Sequence, residues 1–196
     1  MVVHDMLKDL FGLKKEYKPL PLKKKGDVLY EVKWQTTNLE KVGHKVIHEA
    51  QNRLGERVII YRLMHGDGMD DEFIQLGVKV ISKDGIKVPD ANVHLIVENK
   101  QMEISDMKIL GDRVNRGYGS IMMEGLMKLV HEMRIKCITG WISRVDWNHI
   151  DRSVHFYKKH GFDCQLNYDN KEGSILWVNN ELCAKNQTDR ASKCHL

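Results

Sequence analysis

Residues 109–133 read "ILGDRVNRGYGSIMMEGLMKLVHEM", and the assignment of the whole chain turns on this stretch. Apolar residues recur at Met122, Leu126, Leu129, Val130 and Met133, the spacing of one helical face. Upstream, "QMEISDMKIL" (101–110) is a strand candidate. Between the two stand Gly117 and Gly119, one residue apart, with Arg113 and Arg116 just before them. Glycine lets the backbone enter φ > 0 conformations and approach a ligand with no Cβ in the way. The first amides of a helix lack internal partners and carry partial positive charge, so an anion such as a pyrophosphate can be held there. The stretch alone leaves two readings open: an anion cradle, or a tight turn that eases helix–sheet packing.

Two nucleotide fingerprints fail on it. GxGxxG needs a third glycine where Met122 stands, and GxxxxGK followed by Ser or Thr finds no glycine-lysine pair.

Working outward, "VLYEVKWQT" (28–36) alternates as a strand does. Asn38 reads as the cap of a helix over "LEKVGHKVIHEAQNRLG", closed by Gly55. "RVIIYRLM" (57–64), "FIQLGVKVIS" (73–82) and "ANVHLIVE" (91–98) read as strands, with an acidic loop "HGDGMDDE" (65–72) between the first two. After the amphipathic helix come a strand "KCITGWIS" (136–143), a short helix "DRSVHFYKKHG" (151–161), and closing strands "FDCQLNY" and "SILWVN". A short amphipathic helix is expected over 3–13 and a disordered tail from about Ala184. The expected fold class is mixed α/β (α+β), with strands and helices around one sheet.

Composition bounds the function. A chain of 196 residues fits one sizeable domain or a domain with an elaborated arm. No apolar run reaches the roughly 18 residues that cross a bilayer, and the N-terminus lacks the features of a secretory signal. The expectation is a cytoplasmic protein with no membrane partner. Cys137, Cys164, Cys183 and Cys194 form no CxxC pair, which argues against a zinc ribbon or disulfide framework. The net charge of +4 is concentrated in residues 1–27, where seven lysines meet four carboxylates. Only Phe11 and Tyr17 are aromatic there, so a stacking platform for nucleic acid is disfavoured. His44 and His48 share a helical i, i+4 spacing but lack an HExxH glutamate and a third ligand, so no metal is expected.

One further piece sharpens the glycine turn. "HFYKKHGF" (155–162) follows the strand "CITGWI" in the order strand, glycine turn, long helix, strand, tyrosine helix. In these pieces, over about residues 90–180, the sequence resembles the GNAT superfamily of acetyl-CoA-dependent N-acetyltransferases. The resemblance implies a mixed, mostly antiparallel twisted sheet flanked by helices, with acetyl-CoA as co-substrate splayed between two central strands. It implies that the strand end at Lys108, Ile109 and Leu110 aligns the pantetheine arm and offers an amide to the thioester carbonyl. The turn Arg113, Val114, Asn115, Arg116, Gly117, Tyr118, Gly119 and Ser120 would hold the pyrophosphate, chiefly through its amides. Tyr157 matches the family tyrosine that protonates the coenzyme A thiolate, and Asn148 stands near the family asparagine.

Departures fall on Val114, where the family has Gln or Arg, on Asn115 and Gly111, and on Ile150, where the asparagine is displaced to Asn148. They leave open which arginine assists. Glu103, with Asp106 behind it, is the first candidate for the base that takes the amine proton; His149, His155 and His160 are others.

The implied activity is direct transfer of an acetyl group to a primary amine in a ternary complex. The rival is a non-catalytic interaction module on the same fold with a basic arm. Residues 1–56 are expected to be an N-terminal elaboration packed on an acyltransferase domain over 57–183, with the tail over 184–196. A homodimer is compatible with this reading, and the acceptor is not disclosed.

Overall fold

The computed structural model describes residues 19–66, 70–87, 91–109 and 116–180. The helix expected over 3–13 and the tail from 184 lie outside the described residues.

The first described element corrects the sequence reading. Val28–Lys41 is a helix, α1, although its first half alternates like a strand. Both ends are fixed by local hydrogen bonds. Asp27 caps the start by accepting from the Tyr30 amide at 2.9 Å. At the other end Gly43 adopts φ +86°; its amide donates to the Glu40 carbonyl, and the His44 amide to the Leu39 carbonyl. Those two bonds form a Schellman closure, which a left-handed glycine makes possible. The helix therefore stops at Gly43, and Asn38 lies in its last turns rather than at a start. Glu31, Val32, Gln35 and Leu39 are its buried residues, at helical spacing.

The expected helix over 39–55 is replaced by a strand. β1 (Lys45–Gln51) pairs antiparallel with β2 (Arg57–Leu63). The Asn52 side chain closes the hairpin by accepting from the Leu54 and Glu56 amides, a local bond that competes with helix. β3 (Phe73–Ser82), a short β4 (Gly85–Lys87), β5 (Ala91–Glu98) and β6 (Gln101–Ile109) follow. Then come α2 (Tyr118–Met133), β7 (Cys137–Ile142), a 3-10 turn over Arg144–His149, α3 (Ile150–Lys159), β8 (Asp163–Asn167) and β9 (Glu172–Val178).

The sheet runs β1-β2-β3-β5-β6-β7-β9-β8, with β4 paired to β3 off this path. β6 and β7 are parallel; the other pairs are antiparallel. This is the mixed, mostly antiparallel sheet with flanking helices that the sequence implies. One sheet face carries the main core, where Ile60, Leu76, Val93, Leu95, Met102, Ile104 and Ile138 meet Met122, Met123, Leu126 and Val130 of α2. Gly125 permits this approach, since a Cβ there would stand 3.0 Å from Ile60 Cγ2. On the opposite face α1 covers only the β1–β3 end, packing Val32 and Leu39 on Ile59 and Ile81.

Candidate functional site

The parallel ladder is short. β6 and β7 pair from Gln101↔Cys137 to Ile104↔Gly140, yet β6 continues to Ile109 and β7 to Ile142. The ladder ends beside a bulge: Ile104 pairs with Leu95, but Asp106 pairs with His94, so Ser105 is the extra residue. A bulge bends its strand and increases local twist. Beyond it, among the described residues, no ladder joins the two strands, and the site at which they part is called the opening below.

The glycine turn stands next to this opening. Leu110, Arg113, Val114 and Asn115 lie outside the described residues, as does the side chain of Ile109. Arg116 is half-buried, and Gly117 is the residue before α2, at φ +87°. A Cβ on Gly117 would meet nothing within 4 Å, so glycine is required there by backbone conformation and not by space. Tyr118, 1% exposed, anchors the turn from inside. Its hydroxyl donates to Glu56 Oε2 at 2.5 Å, and Asn52 Nδ2 donates to the same oxygen at 2.8 Å. Lys87 pairs with the other carboxylate oxygen. Burial works to raise the Glu56 carboxyl, but hydrogen bonds from Lys87, Tyr118 and Asn52 hold it below the ordinary range.

At the start of α2, Ser120 Oγ lies 3.2 Å from Lys159 Nζ and 3.3 Å from His160 Nε2. The end of α3 thus brings two basic side chains to the helix N-terminus. Burial and the Lys159 charge push His160 down, opposed by Glu124. In "FYKKHGF" the basic "KKH" between the tyrosine and the glycine is the sequence signal for these two.

Tyr157 is tucked against the core, edge-on to Phe156 at 5.3 Å and to Phe162 at 5.5 Å. Burial pushes its phenol up to about 12, and the charges of Asp146, Cys164 and Asp106 add to the rise. Those three groups sit on the 3-10 turn, β8 and β6, which places the phenol within electrostatic reach of the strand beyond the bulge. Glu103 is exposed on the opposite sheet face, level with Thr139 at a rung that is still closed. Asp106 and Lys108 are exposed beyond the bulge, opposite His94 and Asn92. Asn148 is exposed in the 3-10 turn that leads from β7 to α3.

The remaining sequence candidates are placed elsewhere. His44 and His48 are not on a helix: His44 stacks on Tyr61, and His48, in β1, contacts Glu124 and Lys128. Asp70 accepts from the His65 and Gly66 amides and Asp71 pairs with Arg62, while Asp67 lies outside the described residues. Trp141 is 61% exposed. Among the described residues no three His, Cys, Asp or Glu side chains are grouped to hold a metal, and no helix is long and apolar enough to cross a membrane.

No family model matches the chain. It is 45% identical over 64 residues to the uncharacterized protein YocC of Bacillus subtilis (strain 168), a match covering 33% of this chain and 39% of that relative. Among solved structures it resembles a domain from Methanocaldococcus jannaschii DSM 2661, with TM-score 0.50 and 12% identity, over 63% of this chain and 99% of that one. The GNAT domain of S. lividans PAT gives TM-score 0.49 and 9% identity, over 67% and 96% of the two chains. A GNAT family acetyltransferase from Elizabethkingia anophelis with acetyl-CoA bound gives 0.46 and 12%, over 62% and 98%. At these identities the likeness concerns the fold. A strand that parts from its parallel neighbour, a left-handed glycine leading a long helix, and a helix carrying Tyr157 follow in the order the sequence motifs require, and the mixed sheet with its flanking helices is similar in fold to the Methanocaldococcus domain.

Proposed function

We propose that the chain transfers an acetyl group from acetyl-CoA to a primary amine by direct attack within a ternary complex. The observation that carries this reading is the opening after the Ile104↔Gly140 rung, with Gly117 and α2 on one side of it and Tyr157 beside it. The residues present suit the co-substrate. The amides at the start of α2, with Lys159 as a cation and the His160 ring as a hydrogen-bonding group at Ser120, suit a pyrophosphate. The free backbone of β6 and β7 beyond the ladder suits an extended pantetheine arm.

In the reaction the amine nitrogen bonds to the acetyl carbon, the carbon–sulfur bond breaks, the amine loses a proton and the sulfur gains one. Holding both reactants side by side supplies much of the rate. A β6 amide beyond the bulge is the donor to the carbonyl oxygen as charge develops there. Tyr157, held up to about 12, is protonated at neutral pH and cannot be the base. Complete transfer of its proton to a thiolate near ~8.5 is uphill by roughly 5 kcal/mol. Its part is therefore to donate a hydrogen bond to the departing sulfur, with the proton moving as the thiol forms.

For the base, Asp106 ranks ahead of Glu103. Asp106 stands beyond the bulge and within electrostatic reach of Tyr157, whereas Glu103 is at a closed rung. Calorimetric titration with acetyl-CoA and a thiol-release screen over amines test the proposal. No binding at high micromolar acetyl-CoA sinks it; binding with no turnover on any amine transfers the site to the non-catalytic reading.

A further inference from the structure

α1 shields only the β1–β3 end of its sheet face, and the other half of that face, from β5 to β8, is uncovered among the described residues. The strand registers align one row of side chains across it: Phe73, Ile96, Glu103, Thr139, Leu176, Asp163. Phe73 is 52% exposed, Trp141 61%, Leu176 41% and Val178 40%, and the registers gather them on one face. A depression of about 710 Å³ lies between Glu103, Trp141, Asp163, Gln165 and Leu176.

The charge on this half-face opposes that of the chain. β5 to β9 carry Glu98, Glu103, Asp106, Asp163 and Glu172 against the single Lys108, in a protein of net charge +4. The registers place all six on the uncovered side, since the strand neighbours Val97, Met102, Ile104, Met107 and Cys164 face the main core, and in β9 Ile175 faces it from the side opposite to Glu172. Glu103 and Asp163 are three strand spacings apart, about 14 Å.

We propose that this half-face docks an extended, lysine-rich segment of another protein. Carboxylates spread over that distance, with Trp141 and Leu176 interleaved, suit a chain that alternates cationic and apolar side chains. A second copy related by a two-fold axis sets the same carboxylates against each other, which disfavours self-association. Nucleic acid is repelled by the same charge. A small polyamine leaves the apolar row unused. The surface borders the opening at β6 and β7, so under the acyl-transfer reading, on which this last step rests, the docked segment supplies the acceptor lysine.

The test uses the full chain and a fluorescent 12-residue peptide in which lysine alternates with leucine and serine, alongside the same peptide with glutamate for lysine. The lysine peptide binds, the glutamate peptide does not, and raising salt from 50 to 500 mM weakens binding about tenfold or more. Trp141→Ser and the Glu98→Gln/Asp163→Asn pair each weaken it at least threefold with the melting temperature unchanged. Equal binding of the two peptides, unaffected variants, or competition by spermidine at the peptide's own concentration overturns the proposal. So does sedimentation showing a dimer that the same variants dissolve. Acetyl-CoA is absent from these measurements, so they stand whether or not it binds. Peptide docking without acetyl-CoA binding strikes only the acyl-transfer reading, and acetyl-CoA turnover without peptide docking strikes only this one.

Discussion

The Tyr118 hydroxyl donates to the Glu56 carboxylate at 2.5 Å, joining the first residue of α2 to the start of β2 across 62 positions of the chain. The bond fixes the glycine turn from beneath, where no ligand competes for it.

Tyr118→Phe removes that donor and leaves Glu56 with Asn52 and Lys87. A hydrogen bond to a buried charged acceptor contributes about 1.5–3 kcal/mol. The unfolding free energy should fall by that amount, read as a lower urea midpoint at constant slope. Because the turn is also loosened, the acetyl-CoA dissociation constant measured by calorimetry should rise severalfold.

Glu56 also sets an acid limit. Its folded pKa lies below the unfolded value, so its stabilisation is present above the ordinary glutamate range, about 4.3, and fades as pH falls through the folded value. Glu56→Gln keeps an acceptor for Tyr118 but loses the charge. The variant should melt lower at pH 7 yet lose less on acidification between roughly pH 5 and pH 3. Parallel melting curves against pH would contradict this role.

Tyr157→Phe tests the donor to sulfur. We expect kcat to fall about 10²-fold while KM for acetyl-CoA moves less than about threefold. With a phenol at about 12, the wild-type rate should show no alkaline loss attributable to Tyr157 below about pH 10. An unchanged kcat removes the residue from the chemistry.

Gly117 and Gly43 form a matched pair. Their φ values are +87° and +86°, and a Cβ at either meets nothing within 4 Å. Each alanine substitution should therefore cost about 1–2 kcal/mol through backbone strain alone. Gly117→Ala alone should weaken acetyl-CoA binding, and equal effects on affinity would detach the turn from the co-substrate.

The ranking of carboxylates is checked by turnover of the two variants. Asp106→Asn should lower kcat about 10²-fold, whereas Glu103→Gln should change kcat by less than about threefold. The reverse outcome restores Glu103 as the base.

The C-terminal half was legible because its signals agree at every level. Helical spacing from Met122 to Met133, glycines before it and β-rich runs around it all support one answer. The segment 28–55 is ambiguous in sequence because two periodicities overlap there. Val28, Tyr30, Val32 and Trp34 alternate, and the helix is decided instead by Asp27 at its start and Gly43 at its end. Gly43, not Gly55, ends the helix, and Gly55 lies in the β1–β2 hairpin. At the site, Tyr157 and the Gly117 turn were readable as motifs. The Glu56–Tyr118–Lys87 cluster and the meeting of Lys159, His160 and Ser120 were not, because each joins residues from separate elements through tertiary packing alone. The acidic half-face was hidden for the same reason, its carboxylates being scattered over four strands until the registers align them.

Glu103 and Asp106 lie on one side of the sheet and Tyr157 on the other, and among the described residues the place where β6 and β7 part lies between them. The sheet therefore works as a partition with one aperture. Under the proposed chemistry the two reactants arrive from different compartments of solvent and never queue for a shared doorway. Either can load first, and each product leaves by the route its parent used. Initial rates plotted against both reactants should then give intersecting lines, and neither product should block the arrival of the other reactant.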